Sequence, residues 1–226
     1  MTYDWEKLDN LCLQYYIDRD PSHGIDHITS VLNNLDLLLE SLDSSLSHLD
    51  QTLARASALL HDAYDPKYID DPSNIKKTIR QHLVTFGLSN EDVDIISTVI
   101  KNVSFTREKT RRKKGKNIIL NDRIMLIRNL VSDSDKLEAI GIDSITRMIQ
   151  YREGLGIRFE QEYSLDKIFN DIREQCRERC YILLTENYIK TVKAREIAKQ
   201  KIIEMKKIVD DDKILANFIL RYLNIM

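Results

Sequence analysis

The feature that most restricts the fold of this chain is its scarcity of glycine and proline, with 6 and 3 in 226 residues. Sandwiches and barrels of many strands need such residues for their turns, and dinucleotide-binding α/β folds need a glycine-rich loop. Apolar residues instead recur at helical spacing along most of the chain. In residues 28–42 they occupy one face of a helix. The sequence therefore predicts an all-α protein.

Charge, hydropathy and cysteine content indicate where a chain of this kind would work. The 34 basic and 36 acidic residues leave a net charge of -2, which excludes a strong electrostatic bias over the whole chain. No apolar run is long enough to span a membrane, and the acidic start, MTYDWEKLDN, lacks the pattern of a signal peptide. The cysteines are odd in number, at positions 12, 176 and 180, which favours a reducing compartment. We therefore expect a cytoplasmic protein without a membrane partner.

The length predicts one domain, or one domain with an appendage. We interpret residues 1–226 as a single helical domain, with a core at about 20–150 and C-terminal helices at about 160–226 packed on it. Local signals predict several helix ends. A loop with two of the three prolines precedes Ser73, which is placed to cap the next helix, and Gly87 is placed to end it. Ser89 then opens another helix.

A basic segment, residues 106–116 (TREKTRRKKGK), departs most from the average composition. It carries seven basic residues and one acidic residue. Such a run is typical of a solvated, mobile loop. The alternative is that its cations reach an anionic substrate, close over it as a lid, or contact nucleic acid or another partner.

Polar residues within apolar helical surroundings are the strongest functional signal. His61 and Asp62 directly follow the run ASALL, and His27 shares the inward stripe of its helix with apolar residues. Asp133 and Asp135 lie in a third apolar stretch. Burying these groups is costly unless each finds a partner, and a divalent cation satisfies imidazole and carboxylate together. A salt-bridged core histidine is the alternative for an isolated His-Asp pair, but two histidines and two aspartates from three segments favour a metal site.

These residues resemble the HD-domain metal-dependent phosphohydrolases. The resemblance rests on His27, the His61-Asp62 doublet, and Asp135 followed by a basic residue and leucine. Five segments resemble the bacterial YpgQ-like nucleotide pyrophosphohydrolase branch in order: SHGIDHITSV, ALLHDAYDPKY, VIKNVSF, VSDSDKLEAIG and IKTVKAREIAKQ. Together they span about residues 20–205. The resemblance implies a helical bundle of the HD type with a metal site in an internal cleft.

The resemblance also implies a reaction, in which a nucleoside triphosphate is hydrolysed to monophosphate and pyrophosphate. The expected cofactor is a divalent ion, with Mn favoured over Mg, Fe, Co, Ni or Zn. The expected metal ligands are His27, His61, Asp62 and Asp135. The expected catalytic residues are Asp62, Asp65 and Lys67, and the expected substrate contacts are His23, Lys101 and Asp133.

Several of these roles have alternatives. Asp65 could instead cap the loop that follows it. Lys67 and Lys101 could be ordinary exposed residues. Asp133 could support the metal ligands without contacting the substrate. His48 and His82 are expected at the surface.

The sequence departs from the family pattern in three places. Asp26 replaces an aromatic residue, Gly24 replaces an aspartate, and the stretch that contains the basic segment is longer. These differences leave the substrate open, and a nucleotidase or cyclic phosphodiesterase on the same metal is an alternative. A metal-binding regulatory or nucleic-acid-binding protein is another, although a remnant site would be free to lose ligands. The oligomeric state is not indicated.

Overall fold

The regular elements of the computed structural model are all helical, which confirms the all-α prediction for the part of the chain that it describes. It describes residues 3–17, 19, 23–42, 46–65, 68–69, 71–154 and 165–223. A 3-10 turn follows the first α-helix, and a π-helical stretch (Cys176–Tyr181) lies between the ninth and tenth. The α-helices are α1 (Trp5–Leu13), α2 (Ile25–Glu40), α3 (His48–Leu60), α4 (Pro72–Phe86), α5 (Asn90–Val103), α6 (Phe105–Lys113), α7 (Asp122–Glu138), α8 (Ile142–Gly154), α9 (Leu165–Gln175), α10 (Ile182–Thr185), α11 (Val192–Val209) and α12 (Asp212–Leu223).

The chain divides into two compact units, an N-terminal unit (Met1–Asp135) and a C-terminal unit (Lys136–Met226). The division falls within α7, so this helix contributes to both. All the residues of the predicted metal site belong to the N-terminal unit. That the whole chain acts as a single domain stays a prediction.

Helix α3 forms the centre of the N-terminal unit. It contacts α1, α2 and α5, and Leu53, Leu59 and Leu60 are completely buried. Alanines at 54, 56 and 58 are also fully buried, and their small side chains let the neighbouring helices approach closely. Truncating one of the buried leucines to alanine would cost about 2 to 5 kcal/mol. The helix ends at Leu60, which places the next residue, His61, at the edge of this rigid core.

The predicted helix ends are partly correct. Gly87 ends α4 with a φ of +115°, a left-handed conformation that suits glycine, and Ser89 opens α5 with a complete capping box. The prediction for Ser73 is wrong. Asp71 caps α4 instead, and Pro72 takes the first helical position, where its missing N–H costs nothing.

The basic segment is not a mobile loop, so that prediction is wrong for its first eight residues. They belong to α6, which Ser104 caps by accepting a hydrogen bond from the Arg107 N–H. Glu108 is buried, and its carboxylate lies 2.7 Å from Arg112 on the next turn and 2.7 Å from Arg128 on α7. This shared anion offsets the repulsion among the neighbouring cations. The residues from 114 to 116 lie beyond the helix and are exposed, as expected for a solvated turn.

The C-terminal unit is built around α11, whose buried face includes Ala194, Ala198 and Met205. Cys176 and Cys180 are buried on the π-helical stretch, and both are free thiols. None of the described helices is both long enough and apolar enough to cross a lipid bilayer.

Candidate metal centre

Four side chains predicted as ligands meet at one point of the N-terminal unit. The Nε2 atoms of His27 and His61 lie 3.3 Å apart. One carboxylate oxygen of Asp62 lies 3.8 Å from the first nitrogen and 3.6 Å from the second. One oxygen of Asp135 lies 3.8 Å and 3.7 Å from the same nitrogens. Helices α2 and α7 and the turn after α3 thus direct two nitrogen and two oxygen atoms towards a common centre.

The donor set fits a divalent cation. Ligand atoms bound at about 2.0 to 2.2 Å from one ion stand roughly 3 to 3.6 Å apart when they are neighbours in a tetrahedral or octahedral arrangement. The distances among these atoms are at or slightly above that range. His27, His61 and Asp62 can hold a metal ion, and Asp135 is close enough to both imidazoles to be a fourth ligand. The mixed set suits Mn, Fe, Co, Ni, Zn or Mg better than a site built for thiolates.

A backbone contact fixes the imidazole of His61. Its Nδ1 lies 2.7 Å from the carbonyl oxygen of Ala58, which can only accept a hydrogen bond, so Nδ1 carries the hydrogen. The Nε2 atom is therefore the one that can bind a cation, as for many metal-ligating histidines. Burial by itself lowers the pKa of His61, but Asp62 and Asp135 outweigh burial and raise this pKa to about 10. A proton on His61 balances these carboxylates, and a divalent ion would replace it.

The turn that carries Asp62 is held by a residue that sequence reasoning missed. The guanidinium of Arg19 donates to the carbonyl oxygen of Asp62 at 2.8 Å and to that of Ala63 at 3.1 Å. It also lies over the rings of Tyr16 and Tyr68, at 4.6 and 4.8 Å from their centroids. These carbonyls lie in the turn after α3, where that of Asp62 also accepts a hydrogen bond from the Asp65 N–H at 3.0 Å. Arg19 therefore fixes the backbone next to a predicted ligand.

Three other predicted residues either line a cavity together with candidate ligands or lie close to one of them. Asp65 lines the same cavity as Asp62, and Lys101 lines it from the last turn of α5. The ring of His23 lies 6.2 Å from that of His27 and 5.7 Å from that of Tyr68. Their roles in catalysis or binding stay predictions.

Asp133, His48 and His82 are not among the residues that line this cavity. Asp133 is completely buried on α7, so a supporting place agrees better with its position than a substrate contact. Lys67 falls outside the residues that the structure describes. His48 is exposed and stacks on Trp5, whereas His82 is half-buried with its Nδ1 at 2.8 Å from the hydroxyl of Tyr15.

A cavity of about 840 Å³ opens beside the metal centre and lies wholly within the N-terminal unit. Its acidic wall consists of Asp62, Asp65 and Asp135, next to His61. Apolar side chains, among them Ile79, Val93 and Ile100, form another part of the lining. Cationic side chains from three helices complete it: Lys76, Lys77 and Arg80 from α4, Lys101 from α5 and Arg107 from α6.

Comparison with known proteins identifies relatives of this arrangement. No protein-family model matches the sequence. The uncharacterized protein YpgQ of Bacillus subtilis (strain 168) is 24% identical over 151 residues, which cover 66% of this chain and 65% of the relative's length. The crystal structure of YpgQ, with selenomethionine, superposes with a TM-score of 0.62 at 21% identity, over 90% of this chain and 92% of the other. The chain is similar to YpgQ in sequence and in fold.

Two more solved structures share the fold. A Lactobacillus plantarum protein superposes with a TM-score of 0.66 at 20% identity, over 93% of this chain and 96% of its own. Bacillus subtilis YpgQ in complex with ADP superposes with a TM-score of 0.60 at 20% identity, over 90% of this chain and 93% of its own. At these identities the superpositions show a shared fold.

Proposed function

We propose that this protein is a metal-dependent phosphohydrolase of the HD type that cleaves nucleoside triphosphates to monophosphate and pyrophosphate. The observation that carries the proposal is the meeting of His27 with His61, Asp62 and Asp135, the last three of which line a large cavity. We take these four residues as the ligands of one divalent ion, with Mn favoured. When bound, such an ion lowers the pKa of a water ligand and polarises a phosphoryl oxygen.

A nucleotide is a substrate of suitable size and chemistry. Small-molecule sites usually have volumes of about 300 to 1,000 Å³, and the cavity of about 840 Å³ falls within that range. Its lining offers apolar side chains for a base and cations for phosphates. The relative YpgQ has been crystallised in complex with ADP, which supports a nucleotide as ligand.

The protein's own residues supply the remaining parts of the reaction. Asp65 orients the attacking water and accepts its proton as the new bond from oxygen to the α-phosphorus forms. The bond from that phosphorus to the bridging oxygen breaks, and pyrophosphate leaves with the electron pair. Lys101 offsets the charge on the phosphates, and His23 positions the substrate. The protein thus works by holding and orienting groups around an ion, with no covalent intermediate.

A panel of nucleotides tests the proposal. Purified protein, stripped with a chelator and then supplied with Mn²⁺, is given nucleoside triphosphates, diphosphates, monophosphates and cyclic monophosphates, and orthophosphate and pyrophosphate are measured separately. We expect pyrophosphate from the triphosphates, and only in the presence of metal. Orthophosphate released from monophosphates would indicate a nucleotidase, and opening of the cyclic substrates would indicate a phosphodiesterase. Either result would overturn the proposed reaction.

A further inference from the structure

The cavity carries opposite charges on different parts of its lining. The carboxylates of Asp62, Asp65 and Asp135 lie on the side of the metal centre. Helices α4, α5 and α6 contribute lysine and arginine side chains to the rest. A substrate that is bound in this cavity and to the ion would also meet cations from three helices. This arrangement suits a chain of phosphates better than a single phosphate.

Not every cation of the lining is available for a ligand. The guanidinium of Arg80 lies 2.6 Å from a carboxylate oxygen of Asp94 and 2.9 Å from the side-chain oxygen of Asn90, so its charge is already offset. The amine of Lys76 lies over the ring of Tyr64, 5.5 Å from its centroid. A ring face binds an exposed ammonium only weakly, which leaves this amine able to turn towards a phosphate.

Arg107 belongs to the basic segment by which this chain departs from the family pattern. It stands beside Glu108, which is fixed by its buried contact with Arg128. Of the residues in that segment, Thr106 and Arg107 line the cavity. The buried contact thus anchors α6 next to the residue that reaches the cavity. Lys113, in the last turn of the same helix, does not line the cavity.

We propose that Lys76, Lys77, Lys101 and Arg107 form a subsite for the two terminal phosphates of the substrate, and so for the leaving pyrophosphate. The inference rests on the proposed function, because it assigns the cleaved bond to the metal side and the leaving group to the cationic side. As the bond to the α-phosphorus breaks, the bridging oxygen becomes a terminal oxygen of pyrophosphate and gains negative charge. The four cations, which we call the cationic subsite, stabilise that charge. Monophosphates would not reach them.

Binding of inorganic pyrophosphate tests the cationic subsite without relying on hydrolysis. Isothermal titration calorimetry is carried out on the full chain in chelator-containing, metal-free buffer, so that no bound ion can hold the phosphate. We expect pyrophosphate to bind about tenfold more tightly than orthophosphate, and the affinity to fall as salt rises. Arg107→Gln should weaken pyrophosphate binding about fivefold, and the double variant Lys76→Gln with Lys77→Gln about tenfold.

Lys113→Gln is the matched control, because it removes the same charge from the same helix away from the cavity. It should leave pyrophosphate affinity unchanged. Because Arg107 and the substituted lysines are exposed, the variants should keep the melting temperature of the parent. Equal effects of Arg107→Gln and Lys113→Gln would overturn the subsite, as would equal affinities for pyrophosphate and orthophosphate.

Steady-state kinetics with Mn²⁺ separates failure of the subsite from failure of the proposed function. If both hold, Arg107→Gln should raise KM for a triphosphate about fivefold while kcat changes less, because the residue acts mainly in binding. The expected pyrophosphate binding with no hydrolysis of any nucleotide would keep the subsite and refute the proposed function. Release of pyrophosphate from triphosphates, without any selective loss of pyrophosphate binding in the variants, would refute the subsite alone.

Discussion

Two clusters of buried and partly buried polar groups lie in the same unit of this protein and are built in opposite ways. In the metal centre, the Nε2 atoms of His27 and His61 and the oxygens of two aspartates face one another. In the second cluster, the carboxylate of Glu108 lies between the guanidinium groups of Arg112 and Arg128. The first is a set of electron-pair donors around a common centre. The second pairs opposite charges within the protein.

The difference distinguishes a structural contact, in which the protein pairs its own opposite charges, from a site that binds an ion. Arg128 also donates to the carbonyl oxygen of Asn102 at 2.8 Å and to the side chain of Asn129 at 3.1 Å, so its charge is well satisfied by the protein. In the metal centre, by contrast, carboxylate oxygens and imidazole nitrogens face one another and could hold a metal ion together. Loss of a metal ligand should therefore damage activity, whereas loss of Glu108 should damage stability.

The largest effect is expected from removing two ligands together. His61→Ala with Asp62→Ala should lower nucleotide hydrolysis by about a thousandfold or more, because the ion loses half of its proposed ligands. Circular dichroism should show nearly the same helical content. His82→Ala is a matched control, since that histidine lies away from the metal centre. Retained hydrolysis with metal still bound would show that the site lies elsewhere.

The next largest effect should follow from breaking the second cluster. Glu108→Ala leaves Arg128 buried without its carboxylate partner and should lower the free energy of unfolding by about 3 to 5 kcal/mol. Urea denaturation measures this change, and the affinity of the folded protein for Mn²⁺ should stay unchanged. Replacing both partners, as Glu108→Leu with Arg128→Met, should recover most of the loss. A loss below about 1 kcal/mol in the single variant would contradict a buried, satisfied pair.

Metal binding should itself stabilise the protein by a smaller amount. An ion that binds only the folded state adds about 2.7 kcal/mol to the free energy of unfolding when its free concentration is one hundred times Kd. Thermal unfolding with chelator and then with added Mn²⁺ measures the gain. The variant that lacks His61 and Asp62 should show none of it. A gain of equal size in that variant would place the bound metal at some other site.

The smallest effect should come from replacing Arg19, which holds the turn that carries Asp62. Arg19→Ala should weaken Mn²⁺ binding about tenfold, since Asp62 loses the support of its backbone, and Arg19→Lys should restore part of it. Arg55→Lys is the control, because Arg55 also lies over an aromatic ring and pairs with Asp9 and Asp36 away from the metal centre. If both arginines changed stability without changing Mn²⁺ affinity, the role of Arg19 would be structural only.

Much of the fold and the meeting of the candidate ligands could be predicted because their signals are local. Helical spacing of apolar residues predicts the helices, and a glycine or serine at the right position predicts an end, as at Gly87 and Ser89. Polar residues that interrupt apolar faces indicated candidate ligands in three segments, and the family resemblance favoured Asp135 over Asp133 among them.

The missed features depend on contacts between distant parts of the chain. Arg19 binds carbonyl oxygens 43 and 44 residues away, and such acceptors have no residue type for a pattern to reveal. The charge of the basic segment predicted a solvated loop, whereas most of the segment is helical. Its buried contact joins Glu108 to Arg128, which lies 20 residues away, so the local pattern did not reveal it. The cap at Ser73 was wrong for a local reason instead, because Asp71, two residues earlier, accepts hydrogen bonds from the N–H groups of Ser73 and Asn74.

The buried contact between Glu108 and Arg128 also has a consequence for the history of this protein. Each charge is tolerated inside the unit because the other is there, so neither position can drift alone without a large loss of stability. Residues 108 and 128 should therefore have changed together during evolution. Among relatives with a shorter connection between the helices equivalent to α5 and α7, the position of Arg128 should be occupied by a residue without charge. The basic segment and Arg128, which holds it in place, would then have been gained together.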